Sequence, residues 1–221
     1  MPHRACFLLL LAASPLYGQL DAGRIDAAVA RALDDRRAPG AVVLVLRDGR
    51  VLHRKAYGAR QVQPTREPMT VDTVFDLASL TKPIATGTAA MLLVQDGKLR
   101  LDDKVSKHLP EFAQNGKGDV TVEQLMLHTS GLIADNPLKE YLDGRAKAFE
   151  NIHALKLTAK PGEQLLSDVN FLVLSEVVEL SGMPLGKFCR KRVFEPLGMK
   201  DTAFRPVPAL AARAAPDRGE G

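Results

Sequence analysis

Ser79 and Lys82 stand three residues apart in the run Phe75 to Lys82 (FDLASLTK), and at the start of a helix that spacing puts both side chains on one face. A serine hydroxyl is a poor nucleophile until a base takes its proton. A lysine held in a partly desolvated cleft can have its pKa lowered enough to do so. The positive end of a helix dipole would also favour negative charge developing on the seryl oxygen. The chemistry open to such a pair is acyl transfer through a seryl ester. A bare Ser-x-x-Lys is common at solvated helix starts, so the neighbouring segments must decide.

Other candidates point to less. His128 in HTSGL has no carboxylate or second histidine at ligand spacing, which favours a structural role at a turn. His53, His108 and His153 are scattered, so neither a metal site nor a cofactor is expected. The glycines lack phosphate-loop spacing. Lys187, Arg190, Lys191 and Arg192 read as the wet face of a helix, with attraction to a membrane surface as the alternative.

The elements that must hold Ser79 and Lys82 are legible as patterns. From Leu20 to Arg37 the apolar residues Ile25, Ala28, Val29, Ala32 and Leu33 recur at helical spacing. Pro39 and Gly40 end that helix, and Ala41 to Leu46 (AVVLVL) reads as a strand covered on both faces. Asp48-Gly49 then turns the chain into Val51 to Tyr57, a hairpin signal. Ser79 to Val94 reads as one helix, with Pro83 tolerated in its first turn and Asp96-Gly97 as its stop. Thr121 to His128 has capping-box spacing between Thr121 and Gln124, with Ser130-Gly131 closing it. Asp168 or its neighbour starts a helix that runs to Gly182, and a further helix covers Leu185 to Phe194. Residues 207–221 lack periodicity and read as a loose tail. A single hairpin is marginal in water, so the Ala41 to Leu46 strand is expected to want neighbours and, left uncovered, to promote aggregation.

The chain has 221 residues, 46% hydrophobic and 25% charged, an ordinary globular composition. Lys and Arg exceed Asp and Glu by only four. That surplus is too small to argue for nucleic acid. Arg4 followed by the apolar run Ala5 to Ala13 reads as a secretory signal peptide over residues 1–18, too short to span a bilayer. Export to the periplasm or medium is the expectation, with no stable membrane span after cleavage. Cys6 falls in that signal, leaving Cys189 without a partner and best read as a small core residue.

FDLASLTK, the following QDGKLRLDDKVSKHLPEF, then VTVEQLMLHTSGL and VFEPLGMKDTAF resemble, in the same order and at similar spacing, the serine β-lactamase-related family. That family includes class C β-lactamases, D-Ala-D-Ala carboxypeptidases and related esterases. The upstream APGAVVLVLRDGRVLHRKAYG is similar to its first two strands, so the resemblance covers Ala38 to Phe204. It implies an α+β, β-lactamase/transpeptidase-like fold, with an antiparallel sheet and a helical region, over residues 19–206. Ser79 would be the acylated nucleophile and Lys82 its motif partner. The family's second motif is a tyrosine followed two positions later by Asn or Asp, after a Pro-Gly turn. The matching stretch PGEQLLSDVNF has Leu166 or Ser167 at the tyrosine position, according to whether it is aligned from Asp168 or from Pro161, and is one residue short. Asp168 matches the acidic or amide member, expected to hydrogen-bond Lys82 or substrate, or else merely to cap the following helix. The third motif lies in the family on a strand near the C-terminal end, and this chain stops before such a strand would begin. The expectation is therefore a C-terminally truncated domain carrying half of the oxyanion hole.

Two functions follow from the resemblance. One is a serine hydrolase acting through an acyl-enzyme on an ester, a D-alanyl peptide or a β-lactam, that is, on a small-molecule or peptidoglycan-type substrate. The other is a truncated or degenerate non-catalytic member that binds a peptidoglycan-like ligand or a protein partner. Losing a base costs about 10² to 10⁴ in rate and losing an oxyanion donor about 10² to 10³, so weak or no turnover is expected.

Overall fold

The computed structural model describes residues 20–216. They fall into two compact units: 20–73 together with 213–216, and Val74–Ala212. Residues 1–18, read from the sequence as a signal peptide, and Cys6 within them lie outside the described residues.

In the first unit, helix α1 (Ala22–Asp34) is capped by Asp21, whose carboxylate accepts from the Arg24 N–H at 3.2 Å. Strands β1 (Gly40–Arg47) and β2 (Arg50–Gln61) pair antiparallel. Asp48 (φ 50°) and Gly49 (φ 72°) are both left-handed, the turn geometry that matches the twist of a two-residue hairpin. Beyond the expected hairpin, β3 (Glu67–Pro68) adds a short third strand on the far side of β2. Pro68 is tolerated there because it sits in an edge strand. Among the described residues β1 is also an edge, and Leu44 and Leu46 are 51% and 53% exposed. Asp26 of α1 accepts from the Tyr57 hydroxyl at 2.6 Å and from Lys55 at 2.9 Å, fastening α1 to β2.

The second unit is helical. After a 3₁₀ turn, Ala78–Leu80, and a widened π-type turn, Lys82–Gly87, come α2 (Thr88–Gln95), α3 (Val105–His108), α4 (Val122–Met126) and α5 (Arg145–Ala154). Then follow α6 (Asp168–Glu179), α7 (Leu185–Cys189) with a wide turn Arg190–Phe194, and α8 (Pro208–Ala211). Ala89, Ala90 and Leu93 of α2, Leu125 of α4, Val173, Leu174 and Val177 of α6, and Phe188 of α7 are buried in one cluster. Cys189 lies in it too, its thiol pushed up to about 11 by burial. An uncovered leucine or valine side chain forgoes about 1.5 to 3 kcal/mol, so this cluster is what fixes α6 against α2.

Three expectations are corrected here. Ser79 to Val94 is not one helix: Pro83 brings no N–H and its ring crowds the Ser79 carbonyl, so the chain opens into a wide turn before regular α2 begins. The turn after α4 is closed by His128 in the left-handed region (φ 57°), with the Thr129 N–H returning to the Gln124 carbonyl at 2.8 Å. Gly131 has another task, since at φ 82° any side chain would collide with the Ala159 carbonyl. Residues 208–211 form a helical turn where no periodicity was visible. Among the described residues, no helix is long and apolar enough to cross a membrane.

Candidate active site

Ser79 sits in the 3₁₀ turn immediately after Ala78, which is held at φ 44°. A non-glycine residue in that region is strained and persists only where its surroundings fix it. Here the Asp76 carboxylate accepts the Ala78 N–H at 2.8 Å. The following helical turn brings Lys82 back to the serine, and Lys82 Nζ donates to Ser79 Oγ at 3.0 Å. The same Nζ lies 2.7 Å from Asp168 Oδ1. The Lys82 side chain is largely buried while Asp168 is about half exposed. The three residues singled out in the sequence are thus joined as serine, ammonium and carboxylate in a chain.

Asp168 could have been no more than a helix cap. Ser167 takes that place: its hydroxyl accepts from the Asn170 N–H at 3.4 Å, leaving the Asp168 carboxylate to Lys82. The Asp168 N–H is anchored on the Ala134 carbonyl at 2.7 Å, and Ser167 Oγ donates to the Ile133 carbonyl at 2.6 Å. The segment before α6 is therefore stitched along the stretch that follows α4. His128 completes the seam, its carbonyl accepting from the Leu165 N–H at 2.9 Å and its Nδ1 from the Ser167 N–H at 3.0 Å. Burial first, and the Lys82 ammonium second, hold its imidazole below the usual histidine value. An unprotonated Nδ1 is what the Ser167 N–H requires. The structural role expected of His128 is real, and it includes holding the segment that carries Asp168.

Beneath the seam lies a buried polar contact. Ser130 and Asn170 are wholly buried, Ser130 Oγ donates to Asn170 Oδ1 at 2.5 Å, and the Leu132 N–H donates to Ser130 Oγ at 3.1 Å. Buried polar groups that satisfy one another in this way fix a single arrangement of the chain. Leu166, one of the two positions where the second motif would put a tyrosine, points outward and is 72% exposed.

Lys82 and Asp168 open onto a cleft of about 380 Å³, within the range of small-ligand sites. Its walls include Phe171, Leu172, Leu185 and Phe204, with Asp135 and Tyr141 as further polar groups. Tyr141 donates its hydroxyl to Asp135 Oδ1 at 2.9 Å and is pushed up to about 12, chiefly by burial and then by that hydrogen bond. Sequence reasoning missed this pair and the Ser130–Asn170 contact. Among the described residues no three His, Cys, Asp or Glu side chains gather as a metal site. His53, His108 and His153 instead hydrogen-bond Tyr57, Asp103 and Glu176.

Residues 25–219 match the family described as Beta-lactamase. The chain belongs to the beta-lactamase family. It is 32% identical over 192 residues to a putative D-alanyl-D-alanine carboxypeptidase of Escherichia coli K12, covering 76% of this chain and 44% of that protein. It is 37% identical over 203 residues to esterase EstB of Burkholderia gladioli, covering 83% and 51%. Among solved structures, a class C beta-lactamase superposes with a TM-score of 0.79 at 25% identity, over 87% of this chain and 53% of that one. EstCE1, a hydrolase with promiscuous acyltransferase activity, superposes with a TM-score of 0.74 at 29% identity, over 88% and 55%. The α+β, β-lactamase-like fold read from the sequence is that of these relatives. The chain spans about half the length of the relatives it matches.

Proposed function

We propose that the protein is an exported serine hydrolase that acylates Ser79 with an ester, a D-alanyl peptide or a β-lactam, a small-molecule or peptidoglycan-type substrate. The observation that carries this reading is the continuous contact from Ser79 Oγ through Lys82 Nζ to Asp168 Oδ1, at 3.0 and 2.7 Å, at the mouth of a ligand-sized cleft. The family relatives named as a carboxypeptidase and an esterase support it. In the acylation step, Ser79 Oγ bonds to the acyl carbon and the leaving group departs with the electron pair of the broken bond. The seryl proton passes to Lys82 as Lys82, held in place by Asp168, gives one to the departing oxygen or nitrogen. The Ser79 amide offers one donor to the developing oxyanion. Water then releases the acyl group. Export rests on the N-terminal apolar run alone.

The non-catalytic alternative draws on one specific feature, the absent motif tyrosine, since exposed Leu166 offers nothing in its place. Stopped-flow release of p-nitrophenolate from p-nitrophenyl acetate separates the two readings. Lys82→Met and Asp168→Ala are each expected to slow the burst by about 10² or more. A wild-type burst unchanged within threefold in both variants would exclude the proton path.

A further inference from the structure

The cleft beside Lys82 has a chemical bias that bears on which acyl group it accepts. Phe171 and Leu172 come from α6, Leu185 opens α7, and Phe204 closes the wall from the loop beyond. The Phe204 ring lies over α7 at Gly186, where an added Cβ would stand in ordinary contact with it at 3.4 Å. This side of the cleft is thus apolar and built from three separate parts of the chain, while Thr81, Thr86 and Ser175 add hydroxyls elsewhere in the lining.

The charges facing this space point the same way. Lys82 is the cation among the residues lining the cleft, and it is already held by Asp168 at 2.7 Å. Asp135, the second carboxylate, accepts from the Tyr141 hydroxyl at 2.9 Å and from the Asn136 N–H at 2.8 Å. A ligand carboxylate entering here would meet two carboxylates and one cation already paired, whereas an alkyl or aryl chain would meet four apolar side chains.

We propose that this cleft receives the acyl chain of an uncharged carboxylic ester and discriminates against acyl groups that carry a carboxylate. The proposal rests on Ser79 being the acylated nucleophile and names the substrate class for that site. Burial of one methylene is worth about fourfold in rate if the chain is desolvated as acylation proceeds, so acetate to butyrate should gain about 15-fold.

The test uses the full chain and three p-nitrophenyl esters: acetate, butyrate and hydrogen succinate. Ser79-dependent p-nitrophenolate release is read as the difference from Ser79→Ala. The expected order places butyrate about 15-fold above acetate and hydrogen succinate about tenfold or more below butyrate, since its carboxylate faces Asp135. The butyrate-to-acetate ratio should fall in Phe204→Ala, and the succinate-to-butyrate ratio should rise in Asp135→Asn. Both ratios are taken within one preparation and are independent of the folded fraction. Ser79-dependent release with equal rates for all three esters in the wild type would overturn the assignment while leaving the hydrolase reading intact. Release from none of them would overturn both.

Discussion

Replacing Ser130 by alanine tests how the site is held, because Ser130 hydrogen-bonds Asn170 and Leu132 while Ser79, Lys82 and Asp168 bond to one another. The substitution removes the hydroxyl that donates to Asn170 Oδ1 at 2.5 Å and accepts from the Leu132 N–H at 3.1 Å. Ser130 and Asn170 are wholly buried, so the groups left behind have no ready access to water. Each buried polar group stranded in this way costs about 1 to 3 kcal/mol. Two of them, with some relaxation, place the loss at about 2 to 4 kcal/mol out of a typical domain stability of about 5 to 15. Urea unfolding followed by far-UV circular dichroism should show a lower midpoint with an unchanged slope. Ser106→Ala, which loses one part-buried hydrogen bond to the Gly118 carbonyl, is the control and should lose about 1 kcal/mol. A double-mutant cycle with Asn170→Ala should give a coupling of about 0.5 to 3 kcal/mol. If Ser130→Ala changed stability by less than about 0.5 kcal/mol at constant slope, the buried contact would not be what fixes the Asp168 segment.

Two further outcomes are expected. Leu166→Tyr should leave the acylation rate within about threefold of wild type, as stopped-flow release would show, because the residue at 166 faces solvent rather than the cleft; a gain of about 10² or more would place that side chain in the site. Asp103 is held down to about 2, chiefly by Lys107 and also by His108, so its contribution to stability is present above the ordinary aspartate value and is lost as pH falls toward 2. Asp103→Asn should flatten that acid limb in thermal unfolding between pH 5 and 2, and an identical limb in the variant would refute the ion cluster's role.

Local rules made parts of this molecule readable. The Asp48-Gly49 turn, the Thr121 and Gln124 capping box with both of its hydrogen bonds present, and the three-residue spacing of Ser79 and Lys82 each depend on residues within four positions of one another. The illegible parts depend on distant partners. Helix α5 follows Gly144 with no side-chain cap, and its place is set by buried Ala148 and Ile152 and by the His153 contact to Glu176, 23 residues away. Lys117 reads as a surface lysine, yet it is wholly buried, with its ammonium donating to the Gln114 and Leu155 carbonyls and lying 5.4 Å from the Phe112 ring centre. Asp135 and Tyr141 are cleft residues only because α6 and α7 supply the opposite wall. The wide turn after Ser79 has a visible cause in Pro83, but proline in a first turn is equally compatible with a regular helix.

The central claim is that Ser79 is the residue that becomes acylated. Digestion with trypsin gives a peptide over residues 67–98, because the Lys82-Pro83 bond resists cleavage, and Ser79 is the only serine in it. After reaction of the full chain with an alkyl fluorophosphonate, mass spectrometry should find the adduct on that peptide, localised to Ser79, with none in Ser79→Ala and a much slower appearance in Lys82→Met. An adduct on another residue that persists in Ser79→Ala would contradict the account.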